Sequence, residues 1–222
     1  MSFSSRRSAR FSSASSSSSG KPVAGFIARV LLYKSCNPSI EWRPHGVARA
    51  FTPAKLIIPA LFSADAPVRP VVAALEDAFG TLDYQSDEIP FTFTDYYTSE
   101  MGADIRRIFF AVADLADPSE LARVKLTTDE LEQRFASDGR SVNLDPGMLS
   151  LGRLVLASTK DNAQRIPLRD GIYAEITLLY RKGGFEALPW TYPDYRSAPY
   201  HEVLHDLRTR YKQQLEADSA HA

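Results

Sequence analysis

Apolar residues in this chain fall into short runs of two distinct periods, broken at regular intervals by Gly, Pro and Asp. Lys55–Phe62 is continuously apolar after its lysine and reads as a buried strand, with Pro59 pointing to an edge or a bulge. Pro70–Phe79 reads as a helix closed by Gly80. Leu82–Phe93 holds one or two extended pieces, and Arg106–Leu115 is a further strand centred on Ile108–Val112. The spacing predicts a helix over 118–136. Asp117 is its N-cap and Pro118 its first residue, while Leu121, Val124, Thr128, Leu131 and Phe135 form one stripe at steps of three and four.

Beyond residue 142 the period changes to two. Leu154–Ser158 and Arg165–Leu168 are strands, and Asp170-Gly171 is a hairpin signal. Ile172, Ala174, Ile176, Leu178 and Tyr180 alternate with Tyr173, Glu175 and Thr177, which places the two sets on opposite faces. Lys182-Gly183-Gly184 turns the chain into Phe185–Trp190. A last helix follows Ser197, with Tyr200, Val203, Leu204, Leu207, Tyr211 and Leu215 on one side. The order predicts an α+β protein, with a ferredoxin-like βαββαβ core extended by a C-terminal antiparallel meander and a terminal helix.

Composition divides the chain. Residues 1–20 hold eleven serines and no acid, and residues 1–48 carry seven bases against Glu41. Such a segment cannot bury enough apolar surface to order itself, so 1–48 is expected to be a disordered Ser/Arg-rich extension or the product of a misplaced start. A targeting signal is the alternative, and Gly25–Tyr33 is its one candidate for a short helix or strand. Residues 49–222 are expected to form a single α+β domain. They carry 19 bases and 26 acids, which argues against a nucleic-acid footprint. One cysteine, Cys36, allows no internal disulfide and fits the cytoplasm. No apolar run approaches the roughly 20 residues that span a bilayer. Oligomeric state leaves no trace in the sequence.

Candidate chemistry concentrates between Val142 and Arg196. Asn143 to Gly147 (Asn-Leu-Asp-Pro-Gly) reads first as turn chemistry. Lys160, Asp161 and Arg165 sit where a strand ends, either as a solvated salt-bridge cluster or as an anion site with Lys160 a point charge and Arg165 a bidentate fork. Glu175 interrupts an apolar strand, and the hairpin register brings Trp190 opposite Glu175 or Thr177. Against an indole, such a carboxylate would serve as acid or base; on the outer face of the sheet it would be inert. Asp95, after a Phe-rich run, offers a second carboxylate. His201-Glu202-Val203-Leu204-His205 matches the zinc-protease pattern. The histidines fall beside Arg208 and Lys212 on a polar flank, so the match is read as coincidence and no metal is expected. No phosphate-cradling glycine loop occurs.

Lys55-Leu-Ile, Phe93-Thr-Asp-Tyr-Tyr97, Glu100-Met-Gly102, Lys125-Leu126, Val142 to Gly147, Asp170 to Glu175 and Trp190 to Arg196 occur in an order that resembles a bacterial family catalogued as domain of unknown function 4416. The resemblance covers roughly Arg49 to Leu215 and implies no reaction or cofactor. The residues themselves point to a small anionic ligand, phosphate-containing ones included, with Lys160 and Arg165 at the anion, Asn143 and Glu175 orienting it and Trp190 nearby. The alternatives are a hydrolase or transferase with Glu175 or Asp95 as general base, and a non-catalytic interaction module presenting Trp190 and Tyr192.

Overall fold

The computed structural model describes residues 50–136 and 139–221. The expectations for the N-terminal extension, including Gly25–Tyr33 and Cys36, lie outside the described residues. β1 (Ala54–Phe62) leads through α1 (Val68–Phe79) to β2 (Leu82–Gln85) and β3 (Ile89–Pro90). A short α2 (Thr98–Met101) precedes β4 (Arg106–Ala116), and α3 (Leu121–Arg134) follows a single 3-10 turn. The remaining strands are β5 (Val142–Leu144), β6 (Gly147–Leu149), β7 (Arg153–Ser158), β8 (Ile166–Pro167), β9 (Tyr173–Arg181) and β10 (Gly184–Ala187), before α4 (Ala198–His221).

One antiparallel sheet carries everything, in the order β10-β9-β7-β6-β1-β4-β2, with β5 also on β1, β3 on β4 and β8 on β9. The molecule is therefore α+β, layered helix–sheet–helix. Even-numbered β1 residues (Leu56, Ile58, Ala60, Phe62) join Val71 and Leu75 of α1 and Leu121, Val124 and Leu131 of α3 in one core. Ile57, with Phe109, Leu149, Leu154 and Leu178, packs instead on Tyr200, Leu204 and Leu207 of α4. Period two in the strand thus serves two helical layers, and β1 is buried throughout. Lys55 is buried with them because Asp83 Oδ2 takes its ammonium at 2.6 Å.

Local chemistry accounts for the punctuation. Asp117 accepts from Ser119 N at 2.8 Å and starts the 3-10 turn. Lys182 and Gly183 both take positive φ, 49° and 85°, as the two-residue hairpin between β9 and β10 requires.

Three expectations are corrected. Pro59 lies in a central strand, between β4 and β5/β6. Asn143 to Gly147 is no turn: β5 and β6 are one strand in one register, Ala60↔Leu144 continuing to Ile57↔Gly147. The ladder breaks only where Pro59 meets Asp145, whose own N–H still reaches Pro59 O at 2.9 Å. Finally, a register shift where β7 and β9 pair moves Leu178 onto the face shared by Glu175 and away from Ala174, so simple alternation fails in β9.

Gly147 faces β7 so closely that a Cβ there would fall 2.5 Å from Leu156 Cδ2 and 2.8 Å from Val155 O. The carbonyl belongs to the paired strand and cannot swing aside. Gly147→Ala is expected to destabilise by about 1–3 kcal/mol, as overpacking does, measured as a lower urea midpoint at unchanged slope.

Candidate functional site

The sheet has a notch. β7 pairs with β6 as far as Gly147↔Leu156, and Ala157 N–H still reaches Pro146 O at 3.0 Å. Beyond that point β7 and β9 stay together while β5 remains on β1, so among the described residues no strand covers the outer edge of β5. An uncovered edge leaves backbone groups unpaired. Helix α3 fills that need with side chains: Lys125 Nζ donates to Leu144 O at 2.8 Å, and Glu132 Oε1 accepts from Leu144 N at 2.7 Å.

A cavity of about 840 Å³ occupies the notch, within the size range of small-molecule sites. Arg107, Lys125, Arg140, Lys160 and Arg165 line it together with Asp129, Glu132, Asp145, Glu175 and Asp194. An aromatic wall comes from the segment between β3 and α2, where Phe91 stacks edge-on with Phe93 and Tyr97 at 5.8 and 5.9 Å. Tyr192 and Tyr195 line the side nearest α4.

Asp145 is the centre of the polar network. Its Oδ2 accepts from Arg107 Nη1 at 3.1 Å and from Asn143 Nδ2 at 2.8 Å. Its Oδ1 has no hydrogen-bond partner among the described residues. Leu61 lies opposite both Arg107 and Asn143, which fixes these two side chains on one face across β1. Arg107 also donates to Tyr200 Oη at 3.1 Å and Asp194 Oδ2 at 3.4 Å. Burial opposes ionisation of Asp145, yet Arg107, Lys125 and the Asn143 amide hold its carboxyl below the usual range. Burial wins at Asp194 and Glu132, whose carboxyls are pushed up despite Arg107 and Lys125 respectively.

The four residues read from the sequence as ligand contacts or orienting groups, Asn143, Lys160, Arg165 and Glu175, all line this cavity. Their roles differ from the expectation. Arg165 is committed: Nε to Glu175 Oε2 at 2.9 Å, Nη1 to Ser158 Oγ at 2.7 Å and Lys160 O at 2.8 Å, and Nη2 to Tyr192 Oη at 3.2 Å. Four of its five N–H groups are thereby used, leaving no fork for an anion. Glu175 is 3 % exposed and also accepts from Gln164 at 2.9 Å. It faces the cavity and not the outer surface of the sheet. Trp190 does not pair with it in the ladder, because β10 ends at Ala187; its indole N–H donates to Ile176 O at 2.9 Å. Neither Trp190 nor Asp95 lines the cavity; Asp95 is exposed in the turn before α2.

Lys160 is the one lining cation with no carboxylate within salt-bridge distance among the described residues. It is exposed, donates to Tyr96 Oη at 3.1 Å and lies 4.6 Å from that ring's centroid. Arg140 is half-committed, donating to Asn143 Oδ1 at 3.0 Å with Glu100 at 3.6 Å.

The histidines of the zinc-like pattern are occupied elsewhere. His201 Nε2 meets Tyr195 O at 2.8 Å, and His205 packs edge-on against Tyr180 and Phe185 at 5.6 and 5.2 Å. They half-bury against the β9–β10 hairpin and do not lie on a solvated flank. No group of three His, Cys, Asp or Glu side chains among the described residues could hold a metal.

Sequence reasoning gave Arg107 and Lys125 no role in a site, read Asp145 as part of a turn, and weighed Asp194 equally as a loop lock or a ligand contact. Arg107 and Lys125 had a signal: each is a cation at a core-facing position of an apolar element, and such charges are buried only with partners.

The sequence pattern of the family described as domain of unknown function (DUF4416) matches residues 52–211, and the chain belongs to that family. Comparison with curated proteins and with solved structures finds no match. No described helix is long and apolar enough to cross a membrane.

Proposed function

We propose that the cleft between β5 and β7 binds a small anionic ligand, the anion meeting Lys160. The observation that carries this reading is the uncompensated Lys160 ammonium on the wall of a cavity whose other cations all have carboxylates nearby. Arg165 acts on Lys160 by holding its carbonyl, and Glu175 acts on Arg165, so both position the binding residue. Asn143 holds Arg140 and Asp145 in place. Thermal shift of the full chain with inorganic phosphate, phosphate esters, nucleotides and divalent cations tests the reading. An anion at 100 times its dissociation constant should stabilise by about 2.7 kcal/mol. Lys160→Ala, at an exposed position, should weaken that anion about tenfold without changing the free protein's Tm. Silence from every anion would sink the proposal.

A second reading, a hydrolase or transferase, draws support from carboxyls of unlike acidity around one cavity: Asp145 held ionised, Glu132 and Asp194 pushed towards protonation. Asp145, with a side chain 27 % exposed, is then a better candidate for general base than Glu175, whose side chain is 3 % exposed, or Asp95, which lies outside the cleft. Turnover of whichever anion stabilises the protein, lost in Asp145→Asn, is the discriminating measurement. The third possibility, an interaction surface at Trp190 and Tyr192, has less support: the Trp190 indole is bonded into the sheet and Tyr192 belongs to the cleft.

We also read the first half as a ferredoxin-like core. Counting β1, β2, β4 and β5/β6 as its four strands, the sheet order is fourth, first, third, second, with α1 after the first and α3 after the third. The acidic body and the single cysteine keep the protein, in this reading, cytoplasmic and free of nucleic acid.

A further inference from the structure

We infer that the ligand of this cleft is a phosphorylated polyol, an anion joined to a neutral hydroxyl-bearing body, and that Tyr195 reads a hydroxyl of that body. The inference rests on the anion-binding reading and deepens it. Its starting point is size. A cavity of about 840 Å³ is far larger than a phosphate or carboxylate ion, so the group at Lys160 must carry a body with it.

Two atoms of cavity-lining residues, each without a hydrogen bond among the described residues, bear on what that body is. Tyr195 Oη is buried and makes no hydrogen bond, although its residue is only 3 % exposed and lines the cavity. Such groups are few in native proteins, and each calls for a partner the fold does not supply. Asp145 Oδ1 is open in a different way, on a side chain 27 % exposed: Oδ2 takes both Arg107 and Asn143, and Oδ1 meets no donor among the described residues. Burial pushes the Tyr195 phenol well above its ordinary value, so it stays an O–H that can both donate and accept. The pair together offers one pure acceptor and one donor–acceptor.

Charge decides what kind of group fits them. An amine would suit Asp145 alone, but Arg107 already pairs with that carboxylate at 3.1 Å and Lys125 adds a second positive field. A further cation would be placed among cations whose counter-charge is spent. An additional anion would meet Asp145 and Asp194. A hydroxyl avoids both penalties, donating to Asp145 Oδ1 and exchanging a hydrogen bond with Tyr195 Oη. The C–H faces of a polyol also match the Phe93 and Tyr97 rings lining the same cavity.

The test measures binding by calorimetry on the full chain, with inorganic phosphate, glycerol 3-phosphate, ribose 5-phosphate, glucose 6-phosphate and phosphoethanolamine as probes. At least one polyol phosphate should bind about tenfold or more tighter than inorganic phosphate, and tighter than phosphoethanolamine. Sites built to hydrogen-bond a hydroxyl discriminate by such factors or larger. Tyr195→Phe should remove most of that gain while leaving inorganic phosphate unchanged. The variant should fold, because the deleted hydroxyl has no partner in the protein. Three results overturn the inference while leaving the anion site standing: polyol phosphates no tighter than phosphate, phosphoethanolamine the tightest, or a polyol gain untouched by Tyr195→Phe. No binding by any probe would remove the anion site and this inference together.

Discussion

Arg107→Met is expected to destabilise the protein by about 3–5 kcal/mol, the cost of leaving a buried and a partly buried carboxylate without their cation. Arg107 is 2 % exposed and serves Asp145, Asp194 and the Tyr200 hydroxyl at once. Methionine fills much of the volume and supplies none of the donors, so the loss is polar and not a cavity effect. The deficit should depend on pH with a definite sign. Asp145 is depressed in the fold, so its contribution is present above the unfolded carboxylate value and lost as pH falls through its folded value. Asp194 is raised, so its contribution is present below the unfolded value and lost as pH rises through its folded value. Without Arg107 the Asp145 carboxyl loses the main cation holding it down and that of Asp194 rises further, so acid neutralises both. The gap between wild type and variant, read from urea unfolding, should therefore be widest near neutrality and narrow below about pH 4. A loss under about 1 kcal/mol at pH 7 would refute the role given to Arg107.

That network shows what a single sequence can and cannot carry. β1, β4, α3 and α4 were legible because burial imposes periods of two and 3.6 that survive in the order of residues. The hairpins at Asp170-Gly171 and Lys182-Gly183 were legible because positive φ selects those residues. The β5–β6 strand was not. Asp145-Pro146-Gly147 has the composition of a turn, and only the tertiary partner explains it: Pro59 faces Asp145 across the ladder, and Gly147 makes room for Leu156. The register shift in β9 erased alternation in the same way, moving Leu178 onto the face of Glu175.

For the cleft, the sequence located one wall and missed the other. Asn143, Lys160 and Arg165 stood out because polar residues clustered near strand ends, and Glu175 because it interrupts an apolar strand. Arg107 and Lys125 lie on elements far away in sequence, and nothing local says that β4 and α3 converge on β5. Roles were less legible than positions. Whether Arg165 meets a ligand or Glu175 depends on a distance, 2.9 Å, that no spacing rule yields.

Lys125→Met probes the notch itself and should cost about 3 kcal/mol. Lys125 reaches from α3 to Leu144 O at 2.8 Å while pairing with Asp129 at 2.8 Å and Glu132 at 3.6 Å. Its loss strands a carbonyl that no strand can cover, worth about 1–3 kcal/mol, and removes the cation that offsets burial at Glu132. Glu132 must stay in place, because its Oε1 is the acceptor for Leu144 N–H. Adding Glu132→Gln to Lys125→Met should therefore recover part of the loss: the amide oxygen keeps that hydrogen bond and the uncompensated charge is gone. Alone, Glu132→Gln deprives Lys125 of a partner, so the two substitutions should be non-additive by about 1 kcal/mol or more. Since Glu132 is raised in the fold, its contribution is lost as pH rises through the folded value, and without Lys125 that value climbs further. The Lys125→Met deficit should accordingly shrink in acid, and shrink less in the double variant. Additive losses, or a deficit that ignores pH, would mean that α3 merely packs against the notch and does not supply the missing edge of β5.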